Sequence, residues 1–183
     1  MGFVARDVQS DIINVMSGAL PGYGYHHLGI ISRHNGELLL YESTTGERPP
    51  CYITGKYTGV AARPLEEMRE FLSTQETQLW YFGLRSPLYA DEEARLDEFL
   101  LRQTGFTYDM DGALHSGGGL LFRSIAIILR GEDLTSYFCS ELCMAALSNV
   151  GRVQTSNVSK WSPNKSARYL VRRGVTNRPW RYL

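Results

Sequence analysis

The sequence predicts an α+β fold in which a mainly antiparallel sheet packs against helices. The Asn35-Gly36 pair between two apolar runs is the strongest short hairpin signal, and it predicts paired strands over residues 27–32 and 38–42. Apolar residues at helical spacing recur before this hairpin and several times after it. The strands come mostly early and the helices lie between or after them, which does not match the regular strand–helix alternation of a parallel sheet.

The elements beside the hairpin follow from apolar spacing and from helix-ending residues. Residues 7–16 repeat apolar positions at helical spacing and predict a short amphipathic helix, ended by a glycine and a proline. After the hairpin, a turn-rich and then extended segment leads to Pro64, which we expect at the first position of a second helix. The apolar residues of that helix are Leu65, Met68, Phe71 and Leu72.

The chain from residue 78 onward predicts two strands and two helices. Residues 78–85 indicate a buried strand, and Asp91 is the expected N-cap of a third helix with Leu96, Phe99 and Leu100 as its apolar stripe. Thr135 or Ser136 is the expected cap of the helix that carries Cys139 and ends near Gly151. A last strand is expected at residues 168–173.

Length and charge limit the class of protein. The 183 residues form one predicted domain over residues 1–183, with residues 110–136 as a candidate insertion or flap. The formal net charge is zero and no basic stripe is present, so nucleic acid is not an expected partner. Three cysteines do not make a disulfide framework, which favours a reducing compartment.

No membrane segment or leader is expected. Arg6, Asp7 and Asp11 lie where a signal peptide needs an apolar core. The longest apolar stretch, residues 117–129, is interrupted by Arg123 and is shorter than the roughly 20 residues that a spanning helix needs. We therefore expect a cytoplasmic protein.

Cys139 is the candidate nucleophile, because we expect it at the N-terminus of its helix. The positive end of the helix dipole and a nearby protonated histidine can lower a thiol pKa to roughly 3.5–7.5. The alternative is that Cys139 only packs, since unpaired cysteine is among the most buried residue types. Cys143 is expected to face the core one turn later, and Cys51 lies in a loop with no evident partner.

His27 is the candidate base. Strand alternation places His27 and Gly29 on one face and His26 and Leu28 on the other, so only one of the two histidines faces a given site. The small residue beside His27 would leave room for a substrate or for the cysteine helix. The alternative is that the two histidines mark a solvated strand start.

Glu42 is the candidate third member of the site. A two-residue turn pairs Glu42 with Gly29, which makes Glu42 a diagonal neighbour of His27. A carboxylate there can hold the imidazole by its second nitrogen, the role of the orienting residue in a nucleophile–base–orienter triad. A glutamate at a strand end is otherwise more often a surface residue.

Metal and cofactor sites are not expected. The histidines, at positions 26, 27, 34 and 115, and the cysteines lack ligand spacing. The glycines at 117–119 are not followed by the Lys-Ser/Thr of a phosphate-binding loop.

These segments together resemble the circularly permuted papain-like branch of the NlpC-type cysteine peptidase superfamily (YiiX/YaeF-like proteins, also called permuted papain-like amidases). The chain order His, Glu, Cys is the reverse of the papain order and indicates such a permutation. The matching segments are HLGI at 27–30, the strand that ends in Glu42, GFTYD at 105–109, YFCSEL at 137–142 and SPNKSARYL at 162–170. Two features depart from the family pattern: no Gly-Asp turn precedes the histidine strand, and residues 109–137 are enlarged.

The resemblance implies a cysteine-dependent hydrolase or acyltransferase with Cys139 as nucleophile, His27 as base and Glu42 as orienting residue. The substrate would be a peptide, an amide or a lipid-like acyl compound, and Tyr108 and Tyr25 would line the site. The alternative is a non-catalytic lipid-binding, peptide-binding or structural protein that retains the fold.

Residues 117–129 have two interpretations. They form either a buried core helix or a flap over the cysteine, hinged at the three glycines. As a flap, the segment would offer Leu121 and Ile125 as an apolar wall for the substrate.

Overall fold

The computed structural model describes residues 2–4, 24–44, 48–75, 77–106, 135–154 and 161–182. The fold is α+β: an antiparallel sheet and, within the described residues, four helices. The helix expected at 7–16 and most of the candidate insertion lie outside the described residues. The strands are β1 (Gly2–Val4), β2 (His27–His34), β3 (Glu37–Thr44), β4 (Gly59–Pro64), β5 (Gln78–Tyr81) and β6 (Trp180–Arg181); the helices are α1 (Leu65–Thr74), α2 (Ala90–Gln103), α3 (Thr135–Asn149) and α4 (Pro163–Arg172).

The hairpin prediction is confirmed. Asn35 and Gly36 have φ values of 50° and 86°, so both adopt the left-handed conformation that a two-residue hairpin turn needs. The strands on either side pair in the register that opposes Gly29 to Glu42. The sheet order is β4-β3-β2-β1-β5-β6, which places β2 near the middle of the sheet.

The sheet has helices on both faces. On one face, α1 packs its Leu65, Met68 and Leu72 against Leu40 and Leu79 of the sheet. On the other face, α2, α3 and α4 cover the sheet, and the residues that form this larger core include Leu39, Tyr41, Leu96, Leu100, Ala146, Leu147 and Leu170. No helix in the described part of the chain is long and apolar enough to cross a membrane.

Two helix starts differ slightly from the predictions. Pro64 is the last residue of β4 and precedes the first helical residue of α1. Asp91 is not the cap of α2 but lies in its first turn, because the helix already begins at Ala90. The residue before the helix, Tyr89, donates its backbone N–H to Oε2 of Glu92 at 2.8 Å.

The strand expected at residues 168–173 is wrong, because this segment belongs to α4. Ser162 caps that helix by accepting a hydrogen bond from the backbone N–H of Lys165, and Pro163 occupies its first turn. The strand expected at 78–85 is also too long. Only Gln78–Tyr81 pairs as β5, and Leu84 forms a separate antiparallel bridge with Thr176.

Candidate active site

His27 and Glu42 form the centre of the site. Nε2 of His27 lies 2.7 Å from Oε2 of Glu42, and the two side chains are 4% and 0% exposed. This contact follows from the hairpin register, which makes the two residues diagonal neighbours on one face of the sheet. Because Glu42 engages Nε2, proton exchange between His27 and a thiol would pass through Nδ1.

Two arginines hold the other oxygen of Glu42. Arg63 donates from Nη1 to Oε1 at 3.0 Å, and Nε of Arg48 lies 3.6 Å from the same oxygen. Burial opposes ionisation of Glu42, but Arg48, His27 and Arg63 outweigh it and lower its pKa to about 2. Glu42 is therefore anionic at neutral pH, with Oε1 directed to the arginines and Oε2 to His27.

Arg63 is completely buried on β4, although arginine is a residue type that is normally exposed. Its Nη2 donates to the carbonyl of Tyr57 at 3.1 Å, and its Nε donates to the carbonyl of Pro49. Sequence reasoning missed Arg63 and Arg48, since arginine is normally exposed. The available signal was the position of Arg63 in the otherwise apolar strand GVAARP.

Cys139 is completely buried and packs against Leu28 and Cys143. The backbone N–H of Leu28 donates to Sγ of Cys139 at 3.4 Å. Leu28 directly follows His27, so its nitrogen is bonded to the His27 carbonyl carbon. Sγ therefore lies within about 6 Å of the His27 Cα atom.

The Leu28 amide is available because the hairpin ladder ends one residue earlier. Hydrogen-bonded pairs alternate along an antiparallel ladder, and counting from the turn, Leu28 would bond to Ser43. The paired register instead ends at Gly29 and Glu42. Sγ of Cys139 thus accepts the N–H that the next ladder bond would have used.

The cysteine helix does not pack on the face that the sequence suggested. Cys139 lies against Leu28, whose side chain projects from the opposite face of β2 to that of His27. The space beside Gly29 belongs to Leu40, since a Cβ atom at position 29 would lie 2.7 Å from Leu40 Cδ1. The room expected there for the helix is therefore absent.

Cys139 is also not at the helix start. Helix α3 begins at Thr135, so Thr135 and Ser136 are helical and Cys139 is the fifth residue. The dipole effect falls off beyond the first turn, and only the first four N–H groups of a helix lack intrahelical partners. The N–H of Cys139 is thus not one of the unsatisfied donors, and the helix start does not supply the lowered thiol pKa that was expected for Cys139.

The other two cysteines differ in their surroundings. Burial raises the pKa of Cys143 to about 12, which agrees with the core position expected for it. Cys51 is buried as well, and it has partners after all. Burial raises the pKa of its thiol, but hydrogen bonds from the Thr54 side chain and from the Ala62, Thr54 and Ile53 backbones outweigh this and lower it.

The remaining predicted site residues separate into two groups. The backbone N–H of Tyr25 donates to Oδ1 of Asn164 in α4 at 2.7 Å, and its ring packs edge-on against Phe82 at 5.1 Å. Tyr25 thus lies two residues before His27 and contacts α4 and Phe82, the residue that follows β5. Tyr108, Leu121 and Ile125 lie outside the described residues.

Glu141 is an acidic residue that sequence reasoning did not select. It lies on α3, two residues after Cys139, and burial raises its pKa to about 7. The helix that carries the candidate nucleophile therefore also carries a carboxyl group whose pKa is raised to about 7.

Within the described residues, no group of three or more His, Cys, Asp or Glu side chains is placed to hold a metal ion. Comparison of the chain with protein-family models, with curated proteins and with solved structures finds no match. The functional argument therefore depends on the geometry and electrostatics of the site.

Proposed function

We propose that this protein is a cysteine-dependent hydrolase or acyltransferase that acts on an amide, peptide or lipid-like acyl bond in a reducing, cytoplasmic setting. Cys139 is the nucleophile, His27 the base and Glu42 the orienting residue. The observation that supports this most directly is the buried 2.7 Å contact between His27 and Glu42, with the sulfur held at the next residue of the same strand. The resemblance to permuted papain-like amidases implies the same three residues. We also propose the circularly permuted papain-like fold that this resemblance implies.

The proposed reaction requires the imidazole of His27, the first residue of β2, to reach the Cys139 sulfur around the start of that strand. His27 then takes the proton of Cys139, and the sulfur attacks the carbonyl carbon of the substrate. The resulting tetrahedral oxyanion collapses to a thioester, and the leaving nitrogen or oxygen takes the proton from His27. Water then gives a proton to His27 and attacks the thioester, which releases the acid and restores the thiol. An acyl acceptor replaces water in the transferase version.

The charge arrangement around Glu42 supports this assignment of roles. An anionic carboxylate at Nε2 favours the imidazole tautomer with its proton on Nε2, which leaves Nδ1 as the basic nitrogen. The same carboxylate stabilises the imidazolium when His27 has taken the thiol proton. Arg48 and Arg63 keep Glu42 ionised, so Glu42 does not itself accept that proton.

A non-catalytic lipid-binding, peptide-binding or structural protein is the second candidate, and the complete burial of Cys139 favours it. A substrate carbonyl must reach Sγ, so the hydrolase proposal requires the residues over the sulfur to move when substrate binds. A structural role requires only that the thiol stays packed.

The test is labelling with alkyne-tagged iodoacetamide at mildly acidic pH, with the modified cysteine identified by mass spectrometry. We expect Cys139 to react before Cys51 and Cys143, and we expect the Cys139→Ala protein to lose both this labelling and hydrolysis of an aryl ester. The matched control is Cys143→Ala, one turn along the same helix, which should retain both. A protected Cys139, or equal labelling of all three thiols, together with no turnover would reject the hydrolase and leave the non-catalytic candidate.

A further inference from the structure

A cavity of about 640 Å³ lies within the sheet itself, between β2 and the segment that continues β5. We call it the strand slot. Its two edges are the Ile30–Arg33 part of β2 and residues 81–84, and helices α2, α3 and α4 form its floor. Leu28 and Cys143 also line it, so it begins beside the buried sulfur of the candidate active site.

One edge of the slot is a strand edge without a described partner. The two-residue turn makes His34 and Glu37 a hydrogen-bonded pair, and bonding to β3 then alternates along β2. Ile31 and Arg33 therefore point their backbone N–H and C=O groups away from β3 and toward the slot. No described residue pairs with these groups, because β1 reaches only as far as Leu28.

The opposite edge has the same property. In the bridge between Leu84 and Thr176, the flanking residues make the hydrogen bonds: Arg85 donates to Val175 at 2.9 Å, and Asn177 donates to Gly83 at 2.8 Å. Leu84 therefore directs its own N–H and C=O groups to the other side, into the slot. The described residues contain no partner for these groups either.

The distance between the edges suits a single strand. β1 lies between β2 and β5, since Gly2 pairs with Leu28 on one side and with Trp80 on the other. Two strand spacings, about 10 Å in total, therefore separate the edges of the slot. An added strand in line with β1 would be antiparallel to both of its neighbours, as β1 is.

The floor of the slot determines which side chains such a strand would carry. Leu88, Leu147 and Leu170 provide apolar surface, and two acidic residues of α2, Glu93 and Asp97, lie at the same wall. Asp97 pairs through Oδ2 with His34 at 3.0 Å, and its carboxylate lies close enough to the buried Tyr41 hydroxyl to raise the pKa of Tyr41. Glu93 is exposed at this wall. An occupant with apolar side chains and one cationic side chain matches this floor.

We propose that the strand slot binds an extended peptide that carries a basic residue, as an added strand between β2 and residues 81–84. Main-chain hydrogen bonds to both edges supply affinity, and the leucines and acidic residues of the floor select alternate side chains. The proposal does not depend on a reactive Cys139, because it concerns binding and not turnover.

The probe is the fluorescein-labelled peptide Val-Thr-Lys-Thr-Val, acetylated and amidated, measured by fluorescence anisotropy. Valine and threonine favour extended backbone, and the alternation places lysine and both valines on one side. We expect saturable binding that weakens about tenfold or more when both threonine nitrogens are methylated, because two main-chain donors are then lost. Replacing the lysine of the peptide with glutamate should weaken binding as well.

A charge exchange in the protein tests the floor. Glu93 is exposed, so Glu93→Lys should fold normally, weaken the lysine peptide and strengthen the glutamate peptide. Glu70→Lys is the matched control, since Glu70 is exposed on α1 on the other face of the sheet, and it should change neither affinity. Equal effects of the two variants would contradict the proposed side-chain recognition.

Amide hydrogen exchange by NMR tests the edge directly. Without peptide, the amides of Ile31 and Arg33 should exchange rapidly while those of Ile30 and Ser32 are protected by β3, and bound peptide should protect all four. Protection of Ile31 and Arg33 without peptide would overturn the proposal. If that protection were lost on dilution, a second copy would fill the slot, and if it persisted, another segment of this chain would.

Discussion

Arg63 and Glu42 form an ion pair across 3.0 Å in which neither side chain is exposed to solvent. The pair joins two neighbouring strands to the loop at residues 49–57, because Arg63 also donates to two loop carbonyls. It fixes the carboxylate that His27 contacts, so the stability of the sheet and the geometry of the candidate site depend on the same residues.

Replacing Arg63 with Met should destabilise the protein by about 3–5 kcal/mol, because a buried carboxylate then loses its closest cation. Urea denaturation followed by circular dichroism measures the loss. Arg69→Met is the matched control, since the Arg69–Glu66 pair is exposed and its removal should change little. Adding Glu42→Gln to Arg63→Met should recover part of the stability, and a strictly additive further loss would contradict the buried-pair argument.

Acid should reveal the low pKa of Glu42. The pKa of Glu42 falls from 4.5 to about 2 on folding. Between these pH values the unfolded chain binds more protons than the folded one, so the free energy of unfolding decreases as the pH is lowered. The full effect of this one residue is about 3 kcal/mol. Unfolding free energies measured at pH 6 and at pH 3 should differ more in the parent than in Glu42→Gln, and identical pH slopes would rule out the depressed pKa.

The two adjacent histidines should differ sharply in their effects. His27→Ala should abolish ester turnover and slow alkylation of Cys139, whereas His26→Ala should leave both largely intact, because His27 is the histidine whose Nε2 lies 2.7 Å from Oε2 of the buried Glu42. Glu42→Gln should cause a smaller loss of turnover than His27→Ala. The pH–rate profile of the parent should be compared with that of Glu141→Gln, because burial raises the pKa of Glu141 to about 7. The reverse pattern for the two histidines would mean a different strand register.

Gly29→Ala should destabilise the protein by about 1–3 kcal/mol, because the added methyl group would lie 2.7 Å from Leu40 Cδ1 and 3.1 Å from the Tyr41 carbonyl oxygen. Thermal unfolding checks the shift. Combining it with Leu40→Val, which shortens the facing side chain, should cost less than the sum of the two single changes. If the double variant lost as much stability as the two single variants together, contact with Leu40 would not be the cause of the strain at position 29.

The sequence was most informative where the cause is local. The Asn35-Gly36 turn determines the hairpin, and the hairpin register alone brings Glu42 to His27. The prediction of a strand at residues 168–173, where the structure has α4, was wrong. The sequence does contain a signal for this helix, because Ser162 is a good N-cap and Pro163 suits the first turn. The mixed apolar and basic sequence RYLVRR does not by itself distinguish a strand from a helix, whereas the residues at the start of the segment favour a helix.

The rest of the site depends on contacts between distant parts of the chain. Burial of Arg63 requires the loop carbonyls of Pro49 and Tyr57 to reach it, which no local pattern indicates. The position of Cys139 required knowing which face of β2 receives α3, and alternation gives the two faces of a strand without saying what covers each. Packing of Leu40 into the space at Gly29 decided that question.

The hydrogen bond from the Leu28 amide to the Cys139 sulfur links the backbone of β2 to the covalent state of the Cys139 side chain. An alkylated, acylated or oxidised sulfur carries a further substituent beside its lone pairs, so each such change alters the hydrogen bond that follows the last paired residues of the hairpin. The Leu28 amide resonance is consequently a built-in reporter of sulfur occupancy. By the same coupling, a force or a binding event that separates β2 from β3 beside Leu28 would remove a hydrogen-bond donor from the sulfur and change the reactivity of the thiol.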